Sequence, residues 1–140
     1  MIAATPPDPQ ASGVYRTPPD VTALSERAGA RAPAWIEADL IAVRTKRALL
    51  ETLARAARFP PHFGMNWDAL ADALQDLPDT NTNTNAVFLH LAHPAGARTA
   101  LAQEWSTLLE ILEDAAIYSK GRQRLFVVFI DDAPELPAWR

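Results

Sequence analysis

Asp68, Asp72 and Asp76 recur every four residues between Asn66 and Leu77. On a helix that spacing stacks them on one face, where neighbouring carboxylates repel by about 0.2–0.5 kcal/mol per pair. No lysine or arginine lies between positions 59 and 97 to offset the repulsion. Asp76 also falls toward the helix C-terminus, where the macrodipole disfavours negative charge. Three readings suit such a row: a solvated face, a strip that meets a basic partner, or an acid–base pair of a hydrolase built on Asp68 and Asp72. The hydrolase is the remote alternative. One turn apart on an open face, the two carboxyls lack the burial that shifts a pKa. No Ser-His-Asp set or Gly-rich phosphate loop accompanies them. His90 and His93, with Asp79 or another carboxylate, invite a metal, yet neither zinc-ligand spacing nor a His-Glu-x-x-His motif is present. We therefore expect no metal and no cofactor. The neighbours favour a partner: Ala69, Ala71 and Ala73 are too short to stand above the helix, so a flat or concave surface can approach the carboxylates. A purely solubilising face would mix long Lys and Glu.

The elements that must position this strip are legible from spacing. Asn66 stands at a helix N-cap, and Trp67, Leu70, Leu74 and Leu77 repeat on the face opposite the aspartates. Pro60, Pro61 and Gly64 separate this helix from an Ala- and Leu-rich one over 45–58. The basic residues of that earlier helix, Lys46, Arg47, Arg55 and Arg58, read as its outer face. Strands are expected at 34–40, around 87–89 and at 125–130, the last a continuous apolar run as in a strand buried on both sides. A helix over 98–119, with a bend near Trp105, lies between the last two. Strands separated by helices imply a small parallel sheet.

Residues 1–12 read as disordered, 13–16 as a short extended piece, and 20–28 as a short helix. The polar run 78–85 reads as a loop and 131–140 as a loose tail. The division expected is an N-terminal extension at 1–33, one domain at 34–130 and the tail. With 140 residues, 49% apolar and 21% charged, the chain can fill one core. The net charge of −4 argues against nucleic acid or an anionic membrane as partner. Cysteine is absent, and neither a signal sequence nor a membrane-length apolar run is visible. A cytoplasmic, monomeric protein is expected.

Gly64-x-Asn66-x-Asp68-Ala69-Leu70-x-Asp72 resembles the signature of barstar-type ribonuclease inhibitors, with helix before and strand–helix–strand after it. The resemblance implies an α/β fold in two layers, a three-stranded parallel sheet packed with helices. It implies an intracellular, non-enzymatic inhibitor, of bacterial type, whose partner is a barnase-type ribonuclease. By motif, Asp72 matches the family's dominant inhibitory aspartate, and Asp68 and Asn66 match neighbouring contacts. His62 stands where a tyrosine makes contact, and Asp114 lies near a contacting glutamate. Asp76 adds charge to the same face. Ala71 replaces a tryptophan before the dominant aspartate, and Leu77 stands near another lost one. Buried aromatics often anchor interfaces. The alternative is thus a binding or immunity module of this fold with a different partner.

Overall fold

The computed structural model describes residues 9–29, 35–80 and 86–139. Strands and helices follow in the order β1 (Gly13–Arg16), α1 (Val21–Gly29), β2 (Trp35–Asp39), α2 (Lys46–Ala57), α3 (Trp67–Thr80), β3 (Ala86–Ala92), α4 (Ala95–Ala100), α5 (Ala102–Gly121) and β4 (Leu125–Ile130). The strands form one parallel sheet in the order β1-β4-β3-β2. The class is α/β with a parallel sheet, as expected, but the sheet has four strands rather than three. Residues 13–16 pair with β4, Gly13 opposite Val127 and Arg16 opposite Ile130. The reason lies in β4, which is buried at all six positions. An unpaired edge there would bury backbone donors and acceptors without partners.

Alternation along the strands gives the sheet two unlike faces. Val14, Ile36, Leu89 and Val128 point to one, against Leu49, Leu50 and Leu53 of α2, Leu70, Leu74 and Leu77 of α3, and Leu108 and Leu112 of α5. Each fully buried leucine contributes about 1.5–3 kcal/mol relative to an exposed one. The other face is aromatic. Trp35 stacks on Phe88 at 5.8 Å and Phe88 on Phe129 at 6.0 Å. Ala11, Tyr15, and Val21 and Leu24 of α1 pack against this second cluster. The two expected layers thus gain a partial third.

Other local expectations shift. The first eight residues of the segment read as disordered, and 81–85 of the polar loop, lie outside the described residues. Ser12 is built into the fold: its hydroxyl accepts from the Phe126 N–H at 2.9 Å and donates to the Arg124 carbonyl at 3.3 Å. α3 runs through Pro78 to Thr80, since a proline removes one hydrogen bond but need not end a helix in its last turn. The long helix breaks at Leu101 (φ −127°, ψ 48°) rather than at Trp105, and both side chains are buried.

The tail is not loose. The Arg16 N–H donates to the Pro137 carbonyl at 3.0 Å, and Arg16 bridges Ala138 in parallel, covering the outer edge of β1. Arg98 holds the Asp132 carbonyl at 2.9 Å and the Glu135 carboxylate at 2.8 Å. Trp139 sits edge-on to Phe129 at 5.5 Å and Phe88 at 5.9 Å. Trp139→Ala should therefore cost about 2 kcal/mol, less than a fully buried aromatic because the ring is half-exposed. Urea unfolding would measure it. A loss below about 0.5 kcal/mol, the range of ordinary surface changes, would show that the tail adds nothing to the core.

Candidate functional site

The site is built from the turn that joins α2 to α3. α2 ends in a Schellman arrangement: the Phe59 N–H reaches the Ala54 carbonyl at 2.9 Å, and the Arg58 N–H reaches the Arg55 carbonyl at 3.3 Å. Arg58 takes the left-handed conformation that this motif needs, φ 58° and ψ 46°. Glycine usually fills that place, because a residue with a Cβ costs about 1–2 kcal/mol there. Phe63 N–H then bonds the Pro60 carbonyl at 2.9 Å, and the rings of Phe59 and Phe63 meet at 5.0 Å. Asn66 caps α3, its Oδ1 accepting from the Ala69 N–H at 2.8 Å. That cap leaves the Asn66 side-chain NH₂ as the group open to a partner. Trp67 is half-buried on the core, with Lys46 Nζ 5.2 Å from the centre of one face.

With Leu70, Leu74 and Leu77 inside, the aspartates face out. Asp68, Asp72 and Asp76 are exposed, and no described cation lies within ion-pair distance of any of them. A groove of about 410 Å³ runs between the Phe59–Gly64 turn and α3. It gathers His62, Asp72 and Asp76, with Phe59 and Phe63 as apolar wall. Asp68 and Asn66 lie outside its lining, toward the N-terminus of α3. Asp114 is exposed on α5, which packs beside α3, and does not line the groove either. The sequence assigns Arg58 to the outer face of α2, and the structure corrects this. Arg58 stands on the α2 side of the same groove. Its position directly before Phe59-Pro60-Pro61 was the available signal, since a sharp turn there folds the end of α2 back toward α3.

A second polar group closes the C-terminal end of the sheet. His90, almost wholly buried on β3, has Nδ1 3.2 Å from Glu37 Oε1 and Nε2 2.8 Å from Asp131 Oδ1. Asp131 Oδ1 also accepts from the Thr17 hydroxyl at 2.6 Å, so strand ends from β1 to β4 share one network. Burial pushes the Asp131 carboxyl up, but the bonds from Thr17 and His90 outweigh it and hold the group below its ordinary range. His93, with φ 54°, turns away from His90 and places Nδ1 3.0 Å from Asp39 Oδ1. The two imidazoles thus bond different carboxylates, although the His93 N–H also donates to Asp131 Oδ2 at 3.4 Å. Among the described residues no set of three or more His, Cys, Asp or Glu is placed to hold a metal ion.

This architecture, with an acidic α3 behind a Gly-x-Asn turn, agrees with the family comparison, in which residues 34–131 match the family described as Barstar (barnase inhibitor). The chain belongs to the barstar family. A comparison with curated proteins finds no match. The barstar match begins at β2 and ends just past β4, so it holds the whole groove and all six residues named from the sequence. β1, α1 and Trp139 lie outside it. No helix among the described residues is long and apolar enough to cross a membrane.

The exposed His93–Asp39 pair gives a pH signature. The His93 bond, then the Ile41 amide, lower the Asp39 pKa, and the Asp39 bond raises that of His93. The Asp39 contribution is present above its ordinary 3.8 and lost as pH falls through its lowered value. The His93 contribution is present below its ordinary 6.5 and lost as pH rises through its raised value. His93→Asn keeps a residue that tolerates the left-handed backbone. Its stability deficit against wild type should be greatest between those ordinary values and shrink on both sides and in high salt. Urea midpoints across the pH range test this, and a deficit independent of pH would exclude the pair as its source.

Proposed function

We propose that this protein inhibits a barnase-type ribonuclease in the cytoplasm by plugging its active site, acting as a monomer and without catalysis of its own. The observation that carries the reading is the state of Asp72: exposed, without an internal cation partner among the described residues, and beside Asp76 and His62 on one groove. A ribonuclease cleft gathers cations to hold phosphates. A carboxylate placed there takes the phosphate position and pairs with a guanidinium through two hydrogen bonds. Asp72 is the plug, Asp68 and Asp76 supply field, and Asn66 and His62 shape the rim. Asp114 reaches the partner from the neighbouring helix.

A second reading keeps the fold and the basic partner but not the nuclease. It rests on Ala71, half-buried where the family pattern has tryptophan, and on Leu77, buried in the core and so unable to anchor a partner.

Titration calorimetry against a purified barnase-type ribonuclease separates the two. Asp72→Ala should weaken binding about 30-fold or more, since losing one member of a desolvated charge pair costs about 2–5 kcal/mol. Its melting temperature should stay unchanged. Glu26→Ala, an exposed change on α1, should alter neither. Association should slow as salt rises. No binding at all would turn the reading toward another partner, and tight binding indifferent to Asp72 would keep the ribonuclease but remove Asp72 as the plug. A matching loss of melting temperature would make Asp72 structural.

A further inference from the structure

Arg58 is a cation in a groove otherwise marked by carboxylates. It is exposed, and its guanidinium makes no ion pair or hydrogen bond with any described residue, although Asp72 and Asp76 line the same groove. Its backbone is left-handed, in a place where glycine closes a helix with less strain. Strain kept at a groove with a free charge points to use rather than to packing.

The sign of that charge matters. A cleft holding only cations would meet Arg58 as a like charge and be penalised by it. The groove instead presents a guanidinium from its α2 wall and two carboxylates from its α3 wall. Its complement is a cationic cleft with a carboxylate beside the cations. In a nuclease that cleaves RNA through the 2′-hydroxyl, the general base is a histidine or a carboxylate, and a carboxylate in that role would lie close to the groups that bind phosphate.

We propose that Arg58 is a specificity-determining residue that seats the cleft carboxylate of the target ribonuclease, and so selects enzymes that use a carboxylate base. This rests on the inhibitor reading above. The guanidinium fork binds a carboxylate through two hydrogen bonds, which an ammonium cannot reproduce.

Arg58→Gly separates this role from simple electrostatics, because the two demand opposite signs. Removing a positive charge makes the protein more acidic, and long-range attraction alone would then speed association with a basic enzyme and tighten binding. Seating of a carboxylate requires weaker binding, about tenfold, through faster dissociation. The same substitution should raise the melting temperature, since glycine relieves the left-handed strain. Arg58→Lys should recover part of the affinity, and Arg58→Glu should weaken it about 100-fold. Stopped-flow association and dissociation with a purified barnase-type ribonuclease reads all three. The tenfold loss should vanish against a ribonuclease whose cleft carboxylate is changed to the amide. Tighter or unchanged binding by Arg58→Gly, with binding still dependent on Asp72, overturns the role of Arg58 alone. Failure of the wild type to bind overturns it together with the inhibitor reading.

Discussion

Burial of Leu70, Leu74 and Leu77 is the constraint on which the acidic face of α3 depends. All three are under 5% exposed and lie on one side of α3. Once they are inside, helical geometry leaves Asp68, Asp72 and Asp76 no direction but outward. The repulsion within the aspartate row is a few tenths of a kcal/mol per pair, roughly a tenth of what burying the leucines returns. The fold can therefore hold an unneutralised acidic strip without strain in its core. Asn66 adds the phase: by accepting from Ala69 it fixes where the first turn starts, and hence which residues face the Phe59–Gly64 turn.

Much of this was legible because it is local. A leucine repeat, an N-cap and a pair of prolines all act within about a dozen residues. Such signals put Asp68, Asp72 and Asp76 together on the face opposite the leucines, where they stand exposed. The fourth strand could not. β1 is four residues long, and although Gly13-Val14-Tyr15-Arg16 reads as a short extended piece, nothing in it declares a place in the sheet. Its stability comes from register with β4, more than a hundred residues away. A clue did exist in Leu125–Ile130, a run apolar at every position, which asks for cover on both faces. Three strands with helices on one side leave half of that demand unmet. Trp35, Phe88 and Phe129, with α1 and Trp139 over them, meet it.

The same distinction separates Arg58 and His90 from the aspartates. Arg58 belongs by sequence to the basic outer face of α2, and only the Schellman turn swings it to the groove. His90 and His93 look like a pair in sequence, yet the strand and the left-handed turn after it send them to different partners. His90 takes Glu37 and Asp131, and His93 takes Asp39. Three-residue spacing on a helix would have brought them together. At the end of a strand, where the chain leaves the sheet through a residue at φ 54°, it does not.

The two polar groups also differ in what they leave for a partner. At the end of the sheet nearly every carboxylate is already answered: Asp131 by Thr17 and His90, Asp39 by His93 and the Ile41 amide, Glu37 by His90. Such groups are spent on joining strands, and Thr17 ties the added β1 into the matched domain. On α3, Asp68, Asp72 and Asp76 are unanswered among the described residues, and the alanines between them keep the surface low. Charge that the fold has used stabilises the fold; charge it has left exposed and unpaired is free to be desolvated by something else. Since exposed ion pairs contribute about 0–1 kcal/mol, leaving Asp72 unpaired costs the monomer little. In a cleft that excludes water the same carboxylate interacts far more strongly with its new partner. On the proposed reading, the asymmetry between those two environments lets one short helix bind a basic cleft without weakening the domain that holds it.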